Sequence, residues 1–499
     1  MSGPPARSFA LQDAARSYND TDAVASGGDA ARRLPIIGED SLWPLCKRFL
    51  ALIHVKNPVL DVPRFKQYVR AASEYGPSWD GPGCLVLLAC ALACVSRPYD
   101  ENQIGGPGED FSAQSPVSVS LDRNSAEVYY SAAKRRLGLL PDSLISIQCQ
   151  YFAGLYEKFT IRPLAAWRLM QQACVQFQAY LYSIALSSPG AEEGGQPRSR
   201  HTEQRLYWSC VKAECELRAE LQLPASGLLK FKYPDLFPSL SLPVPSSDEA
   251  AESAQCFIGS IGHSPVSHTG SSTGSVSNSR LEPEEERSWL LYLAEISLRK
   301  IMNRILEHVY SMGEQYWATN IGRVLFQHQV LYDELCMWRS HLPEQLQFPD
   351  HDMPANELAF LLQTRYLCSL QWIYMPFLYY ISIRATDSDL YLPKVAPLAQ
   401  ACVDSSANLI PIIARHHRHG GVWGLLRKSF SCAITLVVAR KVEMLGLLTL
   451  PANWEELVQL STETIQKWGA EATVGGLMQM VDTLAFVSRE SVNQQAVSL

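Results

Sequence analysis

Apolar residues recur along this chain at steps of three and four, segment after segment, and no stretch shows the strict alternation that a half-buried strand would need. The pattern begins near Asp40. Its clearest stripe follows Pro163, which suits a first helical turn because its missing N–H would have no intrahelical partner there. Leu164, Trp167, Met170, Cys174, Phe177 and Leu181 then share one face. A second stripe through Leu206, Cys210, Ala213, Leu217 and Leu221 predicts a helix closed by Pro224, with Glu214, Glu216, Arg218 and Glu220 mainly on its other faces. Behind Pro283 and the acidic run Glu284, Glu285 and Glu286, which favours a helix N-terminus, Leu291, Ala294, Leu298, Ile301, Ile305, Val309 and Met312 form a third. Further helices are predicted around Val324–Arg339, Glu357–Ile383, Leu398–His419, Val422–Leu448, Trp454–Trp468 and Gly475–Ser488, with Gly420-Gly421 as a stop between two of them. No fixed-period repeat is present, so the expected fold class is all-α and multi-helical rather than a regular solenoid.

Two stretches break the helical period. Residues 1–40, rich in Ser, Gly, Asp and Ala, are expected to form a disordered N-terminal segment, and residues 238–282 a disordered Ser/Gly-rich linker that includes Gly270-Ser271-Ser272-Thr273-Gly274-Ser275. The linker separates a first helical half, 41–237, from a second, 283–488, and residues 489–499 read as a flexible polar tail.

Composition narrows the function classes. A hydrophobic fraction of 47% with 19% charged residues excludes a generally disordered chain. The apolar stretch Cys84–Val95 is too short to cross a membrane, and Tyr366–Ile383 carries Gln371 and Pro376, so both are expected to be buried helices and no membrane partner is expected. The opening Met1-Ser2-Gly3-Pro4-Pro5 lacks the profile of a secretory signal, which also leaves the sequon Asn19-Asp20-Thr21 without meaning. A net charge of -7 exerts no overall pull on nucleic acid. The main basic runs, Lys134-Arg135-Arg136 and Arg415-His416-His417-Arg418-His419, are expected on solvated helix surface. Thirteen cysteines run from Cys46 to Cys432 with no Cys-x-x-Cys, which suggests reduced core thiols in an intracellular protein and no zinc-ligand framework.

Local catalytic signatures are weak. Gly262-His263-Ser264-Pro265-Val266 lacks the final glycine of a nucleophile elbow, and Gly105-Gly106-Pro107-Gly108 has neither the lysine of a P-loop nor the spacing of a dinucleotide turn. His416, His417 and His419 are the best candidates for metal or proton chemistry, but a helix end followed by glycines accounts for them, with cationic side chains complementing the dipole. Asp333/Glu334 and Glu455/Glu456 are adjacent in sequence and so point apart around a helix. Trp167, Trp208, Trp289, Trp372 and Trp468 fit either a core or an apolar ligand pocket. No catalytic, cofactor-binding, metal or DNA-binding residue is assigned, and no enzymatic activity is expected.

Several segments together carry a family resemblance. Val55-Lys56-Asn57-Pro58-Val59-Leu60-Asp61-Val62-Pro63-Arg64-Phe65 is followed by Trp79-Asp80-Gly81-Pro82 and the apolar helix from Cys84. Tyr129 to Leu140 and Arg162 to Leu169 come next, then Glu203-Gln204-Arg205-Leu206-Tyr207-Trp208-Ser209-Cys210 with the acidic Glu214-Cys215-Glu216 behind it. In this order they resemble the regulatory middle homology domain of fungal Zn2Cys6 (zinc-cluster) transcription factors, best over Leu42 to Phe237. The resemblance implies an all-α regulatory domain, interrupted here by the linker, that acts in the nucleus on promoters of a metabolic or specialised-metabolite pathway. It implies other transcription regulators as partners, homo- or heterodimerisation and a small-molecule effector.

Family members carry a binuclear cluster of six cysteines, whereas residues 1–45 contain none. Zinc is therefore expected only with a module encoded upstream, and promoter DNA is expected to be reached through that module or through a partner. A helical enzyme and a partner-binding scaffold of fungal metabolism are the competing readings.

Overall fold

The computed structural model describes residues 39–99, 116–187, 197–221, 223–230, 283–350, 352–354, 356–384, 390–444, 446–469 and 475–498. Residues 1–38 of the expected N-terminal segment, the whole linker 238–282 with its Gly262–Val266 stretch, and the Gly105–Gly108 turn lie outside these. Among the described residues the secondary structure is helical and contains no strand, so the all-α expectation holds.

The first half is built from α1 (Glu39–Leu52), α2 (Val62–Tyr75), α3 (Gly81–Val95), α4 (Pro116–Leu137), α5 (Leu144–Phe159), α6 (Pro163–Ser187) and α7 (Pro197–Leu221). Helix α3 is apolar on every face and is enclosed by α1, α2, α4 and α5. Its start is fixed locally. The Asp80 carboxylate accepts from Gly83 N at 2.9 Å, occupying one of the donors that a helix N-terminus leaves without an intrahelical partner. Asp61 does the same for α2, accepting from Arg64 N at 3.1 Å. The first two of the segments that carry the resemblance thus each supply a helix cap in the fold.

The second half comprises α8 (Pro283–Ile305), α9 (Glu314–Thr319), α10 (Ile321–Ser340), α11 (Glu357–Arg384), α12 (Leu392–Ala414), α13 (Val422–Glu443), α14 (Trp454–Gly469) and α15 (Gly475–Ser498). Helices α11 to α15 pack mainly on their neighbours in sequence, while α8 reaches across to α7 and to the turn His54–Lys56. Helix α6 starts at Pro163 and α8 at Pro283, as the apolar stripes predict. Helix α15 runs through Ser498, across the segment read as a polar tail. By length and composition α13 could cross a membrane, but 61% of its most apolar window is buried in the protein, as in a core helix.

Each half has its own apolar core. The first gathers residues from Leu42 to Leu228; the second gathers residues from Leu291 to Leu484 and, as the one fully buried member from the first half among the described residues, Ile161, with the half-buried Val55 packed against it. Ile161 sits in the turn between α5 and α6 at φ 58°, the only non-glycine residue at positive φ among those described. That conformation is costly for a β-branched side chain. It is held by the Arg162 N to Glu157 O and Ile161 N to Lys158 O bonds, of 2.9 and 3.2 Å, and it seats the isoleucine in the opposite core.

Two surface expectations are corrected. Lys134 and Arg135 are exposed, but Arg136 is buried: it donates to Ser78 O and Pro77 O, both at 2.9 Å, and stacks on Trp79 at 4.2 Å. With a third bond to Ala132 O at 2.8 Å, three carbonyls and an aromatic face replace its water. Helix α12 stops at Ala414, so Arg415–His419 is a turn rather than a helix end, and most of it is covered. Of the twelve described cysteines, eleven are buried and all are free thiols, as expected for core residues.

Candidate functional site

The two cores meet at a polar seam, and its centre is the last half of α7. Glu216 accepts from Lys158 of α5 at 2.7 Å, from Arg365 of α11 at 3.0 Å and from Arg299 of α8 at 3.2 Å. The Arg365 guanidinium spreads its fork over two carboxylates, its second arm reaching Glu295 at 3.2 Å, and Glu295 also takes Lys212 at 2.6 Å. Four cations therefore share two carboxylates in a region largely closed to water. Burial alone would raise the Glu216 pKa, but Lys158, Arg365 and Arg299 hold it well below the usual carboxylate range. Burial likewise pulls the Lys158 ammonium down, with Glu216 opposing.

A cavity of about 120 Å³ opens beside this network. It is lined by α5, α7, α8, α11, the 416–421 turn and α13, so both halves contribute. Its charged lining is Lys158, Arg299, Arg365 and Lys428 against Glu216 and Glu220, and Glu220 is paired with Arg427 at 2.9 Å. Its apolar lining includes Met302, Leu361, Trp372 and Trp423. A second cavity, of about 320 Å³, lies against α2 and α3 and contains Asp61 and the exposed Arg64. It has no comparable buried charge.

The histidine turn forms one wall. His416 Nε2 lies 2.9 Å from Thr364 Oγ1, His419 Nε2 lies 3.0 Å from His416 Nδ1, and Gly421 N donates to His419 Nδ1 at 3.0 Å. Because the Gly421 N–H must donate, His419 carries its proton on Nε2 and gives it to His416 Nδ1. His416 then donates from Nε2 to Thr364, whose hydroxyl donates to Phe360 O at 2.9 Å. Burial, with help from His417, lowers the His416 pKa to about 3, and burial lowers that of His419 well below its usual value. The cationic, solvated cluster expected from the sequence is thus a neutral, buried, directional chain, because Phe360 stacks over His416 at 4.3 Å and α11 excludes the water that charge would need. His417 points elsewhere, to Glu357 at 3.0 Å, and Lys56 of the first half pairs with the same carboxylate.

The last of the segments that carry the resemblance, Glu203–Cys210 with Glu214-Cys215-Glu216 behind it, is the one that docks the halves. Arg205 lies over Trp289 at 5.0 Å, Trp208 under Lys300 at 5.2 Å, and Ser209 Oγ donates to Tyr292 OH at 3.2 Å, all across the junction with α8. Cys215 accepts from Asn303, and Glu216 centres the ion network. Residues 46–340, more than half of the chain, match the fungal specific transcription factor domain. The chain belongs to that family. A fungal specific transcription factor domain has a regulatory role in transcription, and its family is generally non-enzymatic. No curated protein matches the chain.

The match runs from within α1 to the end of α10 and so includes Lys158, Lys212, Glu216, Glu295 and Arg299 of the seam, but stops before α11, which supplies Arg365 and Thr364. Among the described residues no group of three or more His, Cys, Asp or Glu side chains converges as metal ligands. The adjacent carboxylates do not converge either: Asp333 accepts from Gln329 at 2.9 Å, and Glu334 pairs with Arg304 at 2.5 Å. Of the tryptophans singled out, Trp372 lines the cavity, while Trp167, Trp208, Trp289 and Trp468 pack in or against the cores. Sequence reasoning missed Arg365, Trp423 and Lys428. The one local signal was a pair of cations, Arg427-Lys428, just ahead of the apolar stretch that runs to Ala439 in the same helix.

Proposed function

We propose that this chain is a nuclear regulator of transcription for a fungal metabolic or specialised-metabolite pathway, and that its output depends on how the two helical halves sit on each other. The family match over residues 46–340 carries this reading. The seam supports it physically, because a junction built from paired buried charges has sharply preferred arrangements and responds to any change in local charge. Promoter DNA is met through a zinc-cluster module or a DNA-binding partner, since the described cysteines of this chain are free thiols dispersed through its two halves, all but Cys336 buried. Zinc therefore belongs to that module. Partners of the chain are other transcription regulators, in a homo- or heterodimer.

The chemistry of the cavity supports binding rather than turnover. Its thiol, Cys368, is pushed up to about 11 by burial, and its imidazoles are committed to each other and to Thr364. The test is promoter occupancy of the full-length native protein together with transcript profiles after gene deletion. Occupancy at a coherent set of metabolic genes, with loss or gain of their transcripts, is the expected result. Absence of both signals would overturn the reading.

A further inference from the structure

Lys428 is a buried ammonium without a carboxylate. It projects from α13, is 8% exposed, and forms no ion pair among the described residues; it donates to the neutral Gln371 Oε1 at 2.7 Å and lies over the Trp372 ring at 5.0 Å. The surplus of donors extends around it. Among the described residues, the buried N–H groups of Trp423 Nε1, Gln371 Nε2 and Arg299 Nε meet no acceptor. Both Trp423 and Arg299 line the cavity with Lys428. A buried polar group that lacks a partner costs stability; with two of them on the cavity wall, a third on the amide that Lys428 donates to, and both lining carboxylates already paired, the cavity has spare donors and one uncompensated cation. Such a place is complementary to an anion, which brings acceptor atoms and a negative charge.

Shape and the remaining charges narrow the anion. The cavity, about 120 Å³, is on the scale that accepts a single six-membered ring. Its apolar lining from Met302, Leu361, Trp372 and Trp423 would leave a fully polar ion such as phosphate unsolvated on most sides. Glu216 and Glu220 stand on the wall and would repel a dianion, whereas one negative charge matches the single unpaired ammonium. The strained turn at Ile161 borders the same cavity, and its φ of 58° is the kind of local strain that clusters at ligand clamps.

We propose that this cavity is the effector site and that it takes a small organic monocarboxylate, a single-ring or branched-chain acid, with the carboxylate on Lys428 and the Trp423 indole N–H and the apolar body against Trp372 and Leu361. Its meaning for regulation rests on the function proposed above, but binding can be measured apart from it. The same cavity touches α5 and α7 of one half and α8, α11 and α13 of the other. An acid bound there bears on the seam directly.

The test uses the full chain, titrated calorimetrically and by thermal shift with benzoate, phenylpyruvate and 4-methyl-2-oxopentanoate, against benzamide and benzyl alcohol at matched ionic strength. At least one acid is expected to bind saturably at one site and raise the melting temperature, with the neutral analogues inert. Lys428→Met is expected to weaken that acid by at least about thirtyfold, the scale of losing one partner of a buried charged contact. Its own melting temperature holds or rises, because the unbalanced charge is gone. Trp423→Phe keeps the ring and the fold and loses about tenfold, as for one hydrogen bond to a charged group. Equal binding of benzamide and benzoate, full affinity in Lys428→Met, or no binding of any of the three acids at millimolar concentration would overturn the proposal. Acid binding in a protein whose deletion leaves transcripts unchanged would keep the site and remove its regulatory meaning; a transcript response without acid binding would do the reverse.

Discussion

Glu216 and Arg365 stand 149 residues apart in the chain and 3.0 Å apart in the fold, Nη1 to Oε1, with Lys158 and Arg299 on the same carboxylate. Each of these charges gave up water to be there. Removing the shared anion would leave three cations facing one another in a poorly hydrated seam, which costs more than the pairs contribute by existing.

Glu216→Gln, nearly identical in shape, is therefore expected to destabilise the protein by about 3 to 5 kcal/mol, read as a lower urea midpoint. The comparison is Asp350→Asn. Its carboxylate also meets an arginine, Arg339, but is 68% exposed, and its loss should cost no more than about 1 kcal/mol. Equal costs at the two positions would mean that the seam is hydrated and that its charges are not coupled.

Ile161 gives an inverted ranking. Truncating a buried isoleucine to alanine ordinarily costs about 2 to 5 kcal/mol, and further trimming to glycine adds to it. At φ 58° glycine relieves strain that alanine keeps, worth about 1 kcal/mol or more. Ile161→Gly is thus expected to be more stable than Ile161→Ala, by denaturant melts run side by side. The ordinary order would show that the turn is unstrained.

Stability should fall as the pH drops below neutrality. An unfolded histidine takes its proton near 6.5, but His416 in the fold does so only at about 3, so between those values the unfolded chain binds more protons and is favoured. At pH 5 the loss is about 2 kcal/mol from this residue alone. Burial lowers His54 to about 3 and His328 to about 4, and both add in the same direction. Glu357 follows at lower pH: burial opposes its ionisation, but His417 and Lys56 hold it to about 2 against a usual 4.5, so its contribution is present above 4.5 and is lost below. Urea midpoints at pH 7, 6 and 5 measure the slope. His416→Gln should reduce the slope between pH 5 and 6 by nearly one proton; an unchanged slope would show that His416 is protonated in the fold.

Gly83 tests the cap that opens α3. A Cβ there would sit 2.1 Å from Ser78 O, a backbone atom that cannot swing aside, whereas a Cβ at Gly138 meets nothing within 4 Å. Gly83→Ala is expected to cost about 3 kcal/mol or more, at the upper end of overpacking. Gly138→Ala should be neutral or stabilising by up to about 1 kcal/mol through the unfolded chain. Thermal melts of the two variants separate close approach from a general intolerance of alanine.

Much of the fold was legible because helices write themselves locally. The stripe from Leu164 to Leu181 and the stripe from Leu291 to Val309 each repeat a face within a few residues, and Pro163 and Pro283 mark their starts, so α6 and α8 could be placed from the sequence alone. The order of the segments Val55–Phe65, Trp79–Pro82, Tyr129–Leu140, Arg162–Leu169 and Glu203–Cys210 was enough to suggest the family, and in the fold the first two supply the caps Asp61 and Asp80 while the last docks on α8. The candidate site was another matter. His416 and His419 look like a solvated basic run from their neighbours in sequence, and only Thr364 and Phe360, over fifty residues away, make them neutral and buried.

Local residue order is enough to place most of the helices and their apolar faces, to show that the thiols are dispersed through the chain, and to reveal the resemblance to a transcription regulator. Periodicity, capping and composition are properties of residues within a turn or two of one another. Only the tertiary structure decided that Arg136 is buried, that Glu216 gathers three cations, and that Lys428 stands without a counter-charge beside a small apolar cavity. Whether a charge is solvated, paired or stranded depends on which distant helix covers it, and no local pattern encodes that.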